Sequence, residues 1–444
     1  KTYLSPACRR NHRYDGPELP STPAATSPHA PDTMTEFSRR ELLRAGVTGS
    51  SIAVGGCLGT VLGNDEQDLP DPPGSPALGP SGEWPMPRFD AARTACNPDG
   101  AGLHSGAVYW MLDAGHAVTM ANGTLYNLSP EERRGGTDLT WRSPRTAERQ
   151  AGVRVTKRIP DHSPTVDGGR VYFADGWRVH SFDAASGERR WRTEKLDDAN
   201  HPAVAGGDVF FTGRGGPDAK SFVQSRATSD GTVRWEEDLL GYPHSLPTLG
   251  PEQVFVDDGT GIQAFDRTTG EPQFSTTYRR EVYTPPAVSD GGIYVDINPR
   301  PGATSLLKLD VDTGEREWET PIASPFVVGD DELYVRRTRR IVALDTSDGR
   351  ETTTTTLDAA PVAASGPILY ATQPGSRSLY ALDRENGLET RWSVTIPEMP
   401  PDALDSKGFL SVTPVDGAVY VWNGSALVAI GPEEGLNGTA RTQG

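Results

Sequence analysis

From about residue 160 onward, short apolar stretches alternate with clusters of turn-forming residues, and the alternation itself repeats. One copy runs Val166, Val171-Tyr172-Phe173, Phe182-Asp183, Gly187-Glu188 and Trp191. The next has Val204, Val209-Phe210-Phe211, Gly231 and Trp235, with Ala227-Thr228 in place of the apolar-Asp pair. A third has Val254-Phe255-Val256, Phe265-Asp266, Gly270-Glu271 and Phe274, and a fourth Val288, Ile293-Tyr294-Val295, Leu309-Asp310, Gly314-Glu315 and Trp318. Leu333-Tyr334-Val335, Leu344-Asp345 and Gly349 form a fifth that ends in Thr352 to Thr356 without a Trp, and Val362, Ile368-Leu369-Tyr370, Leu382-Asp383, Gly387 and Trp392 a sixth. Alternation over a few residues between Gly, Asp, Ser and Thr predicts short strands, four to a copy, each copy one antiparallel sheet. The Asp side chain suits a tight hairpin by accepting backbone NH groups, and Gly takes the positive φ of the turn. The aromatic near the end of each copy is placed to pack over the turn of the neighbouring sheet.

At the two ends the pattern is partial. Ala117-Val118-Thr119, Leu125-Tyr126-Asn127-Leu128 and Trp141 read as a first, degenerate copy. Val415, Val419-Tyr420-Val421 and Leu427-Val428-Ala429-Ile430 supply three strands of a last copy, and Ala107-Val108-Tyr109-Trp110 its missing fourth. Trp110 and Trp392 are then separated by seven intervals of about 40 residues, the spacing of propeller blades. The sequence therefore predicts an all-β, eight-bladed β-propeller over residues 84–432, closed by an N-terminal strand, with Trp110, Trp141, Trp191, Trp235, Phe274, Trp318 and Trp392 docking blade to blade. Seven blades is the alternative if residues 115–150 are an excursion.

Composition agrees: 49 Gly and 38 Pro suit a turn-rich β protein and not a helical bundle. The net charge of -17 repels polyanions, which excludes nucleic acid as a partner. Acidic residues in excess, with Arg far outnumbering Lys, resemble the proteins of salt-loving archaea. In multimolar salt a screening length of about 3 Å removes the self-repulsion of such a surface.

Ser38-Arg39-Arg40-Glu41-Leu42-Leu43 is followed by a short weakly apolar run that ends in Val54-Gly55-Gly56-Cys57. The paired arginines, Arg39 and Arg40, look like a twin-arginine export signal, and the small residues before Cys57 resemble a lipid-attachment box. Residues 1–33 are expected to be a disordered upstream extension, 34–57 the signal, 58–83 a flexible acidic tether and 433–444 a disordered tail. The expected location is the outer face of the cytoplasmic membrane, held there by a lipid on Cys57.

The repeats resemble the PQQ-like propeller repeat of pyrroloquinoline-quinone dehydrogenases and of non-enzymatic relatives such as a bacterial outer-membrane assembly lipoprotein. Trp84-Pro85-Met86-Pro87-Arg88-Phe89-Asp90, with Asn97-Pro98 after it, is similar to the opening segment of archaeal secreted members. For an enzyme the resemblance implies a quinone on the axis, a calcium ion, a catalytic Asp and a pair of adjacent cysteines. The three cysteines, Cys8, Cys57 and Cys96, contain no such pair. Asp183, Asp266, Asp310, Asp345 and Asp383 recur blade by blade and read as turn residues, not as a catalytic base. The expected function is a non-catalytic, monomeric surface scaffold without cofactor that binds an extracellular protein or solute. The alternative is a dehydrogenase of alcohols or sugars using pyrroloquinoline quinone and calcium.

His162, His201 and His244 each precede the inner strand of three successive blades, so the fold can bring them to one mouth of the axial channel. There they would bind a metal or an acidic ligand, unless each only caps a strand beside its neighbouring Pro. Sequons at Asn122, Asn127, Asn423 and Asn437 are compatible with glycosylation of an exported protein.

Overall fold

The computed structural model describes residues 78–433 except 114–116, 131–135, 157–161, 217, 244, 260, 279–283, 301–302, 330, 374–375, 397–410 and 423–425. Blade 2 shows the unit: Thr165–Asp167, Arg170–Ala174, Val179–Asp183 and Arg189–Arg192 pair in sequence order, each antiparallel to the next. Blade 1 starts with Val118–Ala121, blade 3 with Ala203–Ala205, blade 4 with Thr248–Leu249, blade 5 with Ala287–Ser289 and blade 7 with Ala360–Ser365. The long strand Arg316–Val328 pairs with Ala303–Asp310 through its first part and with Glu332–Arg337 through its second. It thus ends blade 5 and begins blade 6. In blade 8, Ser411–Val415, Ala418–Trp422 and Ala426–Gly431 are joined by Ala107–Asp113, which pairs antiparallel with Ala426–Gly431. Eight four-stranded sheets result, so residues 115–150 are a blade and not an excursion.

The core lies between blades. Tyr172 and Trp191 of blade 2 share one apolar cluster with Val204 and Val209 of blade 3, while Phe210 and Trp235 share the next with Leu249 and Val254 of blade 4. The second strand of each blade carries an aromatic at one register position, and the ring on the outer strand sits beside it: Tyr172 and Trp191 at 6.0 Å, Phe210 and Trp235 at 6.1 Å, Phe255 and Phe274 at 6.2 Å, Tyr294 and Trp318 at 6.1 Å, Tyr370 and Trp392 at 6.1 Å. The tryptophan nitrogens then reach the neighbouring blade. Trp191 donates to the Thr228 carbonyl (3.0 Å), Trp235 to Arg267 (3.0 Å), Trp318 to Thr346 (3.2 Å) and Trp392 to Leu103 (2.6 Å). Under the rings of Trp191, Trp235, Phe274 and Trp318 lies a glycine of the next blade's turn, as Gly270 does beneath Trp235.

Three junctions are built differently. Trp141 stands on the third strand of blade 1, Thr137–Arg142, and not on the outermost one, where the register puts Ala151. Because Ala151 leaves the usual space vacant, Trp141 still reaches the Ala184 carbonyl of blade 2 (2.7 Å). Trp110 occupies the regular position on the outer strand of blade 8, 5.8 Å from Tyr420, yet its nitrogen has no partner. The Tyr420 hydroxyl makes the bond instead, donating to the Pro144 carbonyl of blade 1 (2.8 Å). Blade 6 puts Thr353 where an aromatic would be. The blade 7 turn compensates: Leu388, with φ 59° and 1% exposed, packs in a cluster with Tyr334 and Ala343 of blade 6. Knob and hole have changed sides.

The hairpin aspartates act as turn residues. Asp266 accepts the backbone NH groups of Thr268 (2.9 Å) and Thr269 (2.7 Å), and the Thr269 bonds hold its carboxyl below the usual range. Asp183, Asp310 and Asp345 make the same closure, and Asp383 accepts the NH of Glu385.

Candidate functional site

An inner strand has a neighbour on one side only, so its axis-facing NH and CO groups need other partners. Here the chain supplies them. Residues 81 to 97 pass round the inside of the ring as a girdle, from blade 8 to blade 7. Ser81 donates to the Asp416 carbonyl (2.9 Å), and Trp84 exchanges two bonds with Met120 of blade 1 (2.8 and 3.1 Å). Pro85 then accepts from Val166 of blade 2 (2.7 Å), Ala91 from Leu249 of blade 4 (2.8 Å) and Ala92 from Val288 of blade 5 (2.9 Å). Thr94 accepts from Val328 of blade 6 (3.0 Å) and Ala95 from Ala364 of blade 7 (2.9 Å), beside which Cys96 and Asn97 pair in parallel. Leu78, expected in the tether, is already buried, and Ser81 is already bonded.

Blade 3 is served by a side chain. Fully buried Arg93 donates through Nη2 to the Pro202 carbonyl (3.4 Å), through Nε to Pro247 of blade 4 (3.4 Å) and through Nη1 to Pro87 (2.8 Å). Elsewhere threonines link the inner strands. Thr413 donates to the Val118 carbonyl (3.1 Å), Thr119 to Pro164, Thr165 to Pro202 (3.3 Å) and Thr248 to Pro286 (2.7 Å). Blade 3 has Ala203 at that position, and Arg93 takes over the bond to Pro247.

Burial lowers the pKa of Arg93 to about 10, against the pull of Asp90, so the guanidinium stays charged at neutral pH. Arg88 is lowered to about 10 for the same reason, with Asp296 and Asp90 opposing. It donates to the carbonyls of Arg93 (2.8 Å) and Phe326 (3.0 Å) and lies 5.2 Å from the centre of the Phe326 ring. Asp90, its carboxyl raised by burial, accepts from the Thr94 amide (3.0 Å) and hydroxyl (2.9 Å). Arg88, Phe89, Arg93 and Ala95 all have φ between 59° and 74°. Left-handed conformations cost about 1–2 kcal/mol each in residues with a side chain, and these four are held by the bonds just described.

Two of the three histidines lie together. His162 and His201 lie with ring centres 5.8 Å apart, while His244 lies outside the described residues. His162 is exposed. His201 is buried beside the girdle, its Nε2 3.3 Å from the Thr165 hydroxyl and its Nδ1 without a partner. Burial, then His162 and Arg93, push its pKa well below 6.5, so it is neutral at pH 7. Among the described residues no three His, Cys, Asp or Glu side chains are grouped to hold a metal ion.

Asp257, fully buried at the end of the second strand of blade 4, accepts the Gly259 NH (2.8 Å) through one oxygen and leaves the other unpartnered. Burial, then the charges of Asp258 and Asp296, raise its pKa to about 7 against the Gly259 bond. Of the sequons, Asn122 is exposed at a turn, whereas Asn127 is fully buried on the second strand of blade 1, where a glycan has no room. Asn423, Asn437, Cys57, Arg39 and Arg40 lie outside the described residues.

A quinone with calcium would need an open axial pocket and free carboxylates. At the inner edges of the blades stand residues 81–97 and Arg93, each of whose three nitrogens donates to a backbone carbonyl. Among the described residues no three carboxylates are grouped to hold the calcium ion.

The family model described as outer membrane protein assembly factor BamB matches residues 104–239, 219–324 and 302–437. The chain belongs to this family. Assembly factor BamB of Burkholderia pseudomallei is 32% identical over 197 residues, 43% of this chain and 49% of that protein, so the match spans about half its length. BamB of Shewanella oneidensis is 25% identical over 292 residues, 56% of this chain and 72% of that protein. The solved BamB of Moraxella catarrhalis superposes with a TM-score of 0.55 at 14% identity, over 74% of this chain and 98% of that one. A quinohemoprotein alcohol dehydrogenase of Comamonas testosteroni gives 0.56 at 12%, over 80% and 81%. At such identities the two structures speak for the fold alone. The BamB-type repeats were legible in sequence; the girdle was not. Its only signal was the Trp84–Asp90 segment, which has no strand alternation and reads as a family marker.

Proposed function

We propose that this protein is a non-catalytic binding scaffold, exported by the twin-arginine route and held at the outer face of the membrane by a lipid on Cys57. The observation that supports it is the inner edge of the ring: residues 81–97 and Arg93 bond the inner strands, so the chain itself takes up those backbone groups. The blade rims and mouth loops are then the surfaces on which a partner acts. Relatives named as assembly factors favour a protein partner. Purified protein incubated with pyrroloquinoline quinone and calcium should reduce no dye with alcohols or sugars, and quinone-dependent turnover would overturn the scaffold reading. For the anchor, Cys57→Ser should move the protein from the membrane fraction to the soluble exported fraction, and replacing Arg39 and Arg40 by Lys should block export. Unchanged fractionation of the Cys57 variant would refute the lipid.

A further inference from the structure

Few large apolar side chains are exposed among the described residues, and three of them gather on adjacent loops: Trp177, Leu240 and Tyr242. Trp177 lies in the turn between the second and third strands of blade 2. Leu240, 76% exposed, and Tyr242 lie on the connection from blade 3 to blade 4. Between them runs the connection from blade 2 to blade 3. Leu196 donates to the Trp177 carbonyl (2.9 Å), Ala199 bridges Gly176, the Tyr242 hydroxyl donates to the Asp198 carboxylate, and Asn200 donates to the Pro243 carbonyl (3.3 Å). Trp177 and Tyr242 therefore flank one strip, Trp177 with its backbone bonded on both sides and Tyr242 with its hydroxyl bonded, so little backbone ordering is lost on contact. Exposed aromatics held in this way are the residues that interfaces favour.

The charges around the strip are uneven. These loops and the strand ends that adjoin them carry Glu194, Asp197, Asp198, Asp218, Glu237 and Asp238 against Arg178, Arg192, Lys195, Arg214 and Lys220. Lys220 is taken by Asp238 (2.5 Å), Arg214 donates to the Ala219 carbonyl (2.8 Å), and Lys195 lies 5.4 Å from the centre of the Trp177 ring. The acidic surplus continues the net charge of -17.

We propose that this strip docks a cationic polypeptide segment of a partner protein, with an aromatic or aliphatic anchor seated between Trp177 and Tyr242 and Lys or Arg side chains facing Asp197 and Asp218. The proposal rests on the scaffold reading and names its surface. An anionic lipid face would be repelled by the same carboxylates, and complementary charge speeds and orients association with a basic segment.

The test uses the full exported chain and fluorescence anisotropy with a short labelled peptide of alternating Lys and Trp, against a matched peptide of Glu and Trp. The basic peptide should bind. Replacing Trp177, Leu240 and Tyr242 together by Ser should weaken it about tenfold or more, with circular dichroism unchanged because all three are exposed. Asp197→Asn with Asp218→Asn should weaken it and flatten its dependence on salt. Equal affinity for the Ser variant, equal binding of the acidic peptide, or preferential binding of anionic vesicles would overturn the proposal. Such failure without quinone-dependent turnover defeats this surface alone; turnover defeats the scaffold reading itself.

Discussion

The junction between blades 3 and 4 makes a quantitative prediction. Gly270 has φ 82°, and a Cβ there would lie 2.7 Å from Trp235 Cδ2 and 2.8 Å from Cε3. The ring cannot retreat freely, because its nitrogen is bonded to the Arg267 carbonyl and its face lies against Phe210. Gly270→Ala therefore combines a left-handed penalty of about 1–2 kcal/mol with an overpacking cost of about 1–3 kcal/mol. Gly387 separates the two effects: its φ is 62°, and nothing lies within 4 Å of a Cβ built on it. Gly387→Ala should cost only the first amount. Equilibrium unfolding in urea, followed by tryptophan fluorescence, should give a larger loss for Gly270→Ala by about 1–3 kcal/mol. Trp235→Ala combined with Gly270→Ala should cost less than the sum of the two, since the space has been vacated. Equal losses for the two Ala variants, or full additivity in the double variant, would refute the idea that a ring seated on a turn locks the blades.

Two further predictions concern the axis. Since Asp257 is raised from 3.8 to about 7 by burial, the folded state holds a proton that the unfolded chain gives up; its contribution to stability is full below about pH 4 and is lost as pH rises through 7. Asp257→Asn should remove that decline, raising stability at pH 8 by as much as about 4 kcal/mol, and a variant whose unfolding curves keep the wild-type pH dependence would refute it. Neutral, buried His201 works in the opposite sense, losing stability as pH falls below 6.5, so the comparison must be variant minus wild type. Arg93→Met strips three carbonyls of a donor and should cost about 2–4 kcal/mol, and Arg93→Lys should not restore it because an ammonium cannot span the three directions. A Lys variant with wild-type thermal stability would show that charge and not the fork holds the girdle.

Residues close in sequence carried most of what could be read beforehand. The outer-strand aromatics Trp191, Trp235, Phe274, Trp318 and Trp392 were legible because a turn, an alternating strand and its ring form one local unit. Trp141 docks onto blade 2 as expected, but only its register with Tyr126 and Ala151 shows that it does so from one strand further in. Trp110 was found at the right position, but the hydrogen bond belongs to Tyr420, whose partner Pro144 is 276 residues away. Asn127 looked like a sequon because the triplet carries no information about burial.

The sequence by itself determined the blade and its turns and narrowed the copies to eight or seven, since period, Asp-and-Gly turn chemistry and one ring per sheet are properties of neighbouring residues. Only the tertiary structure decided what fills the axis. The girdle is held by backbone bonds to inner strands as distant in sequence as Asp416 is from Ser81, and a backbone NH or CO leaves no mark in the side-chain pattern.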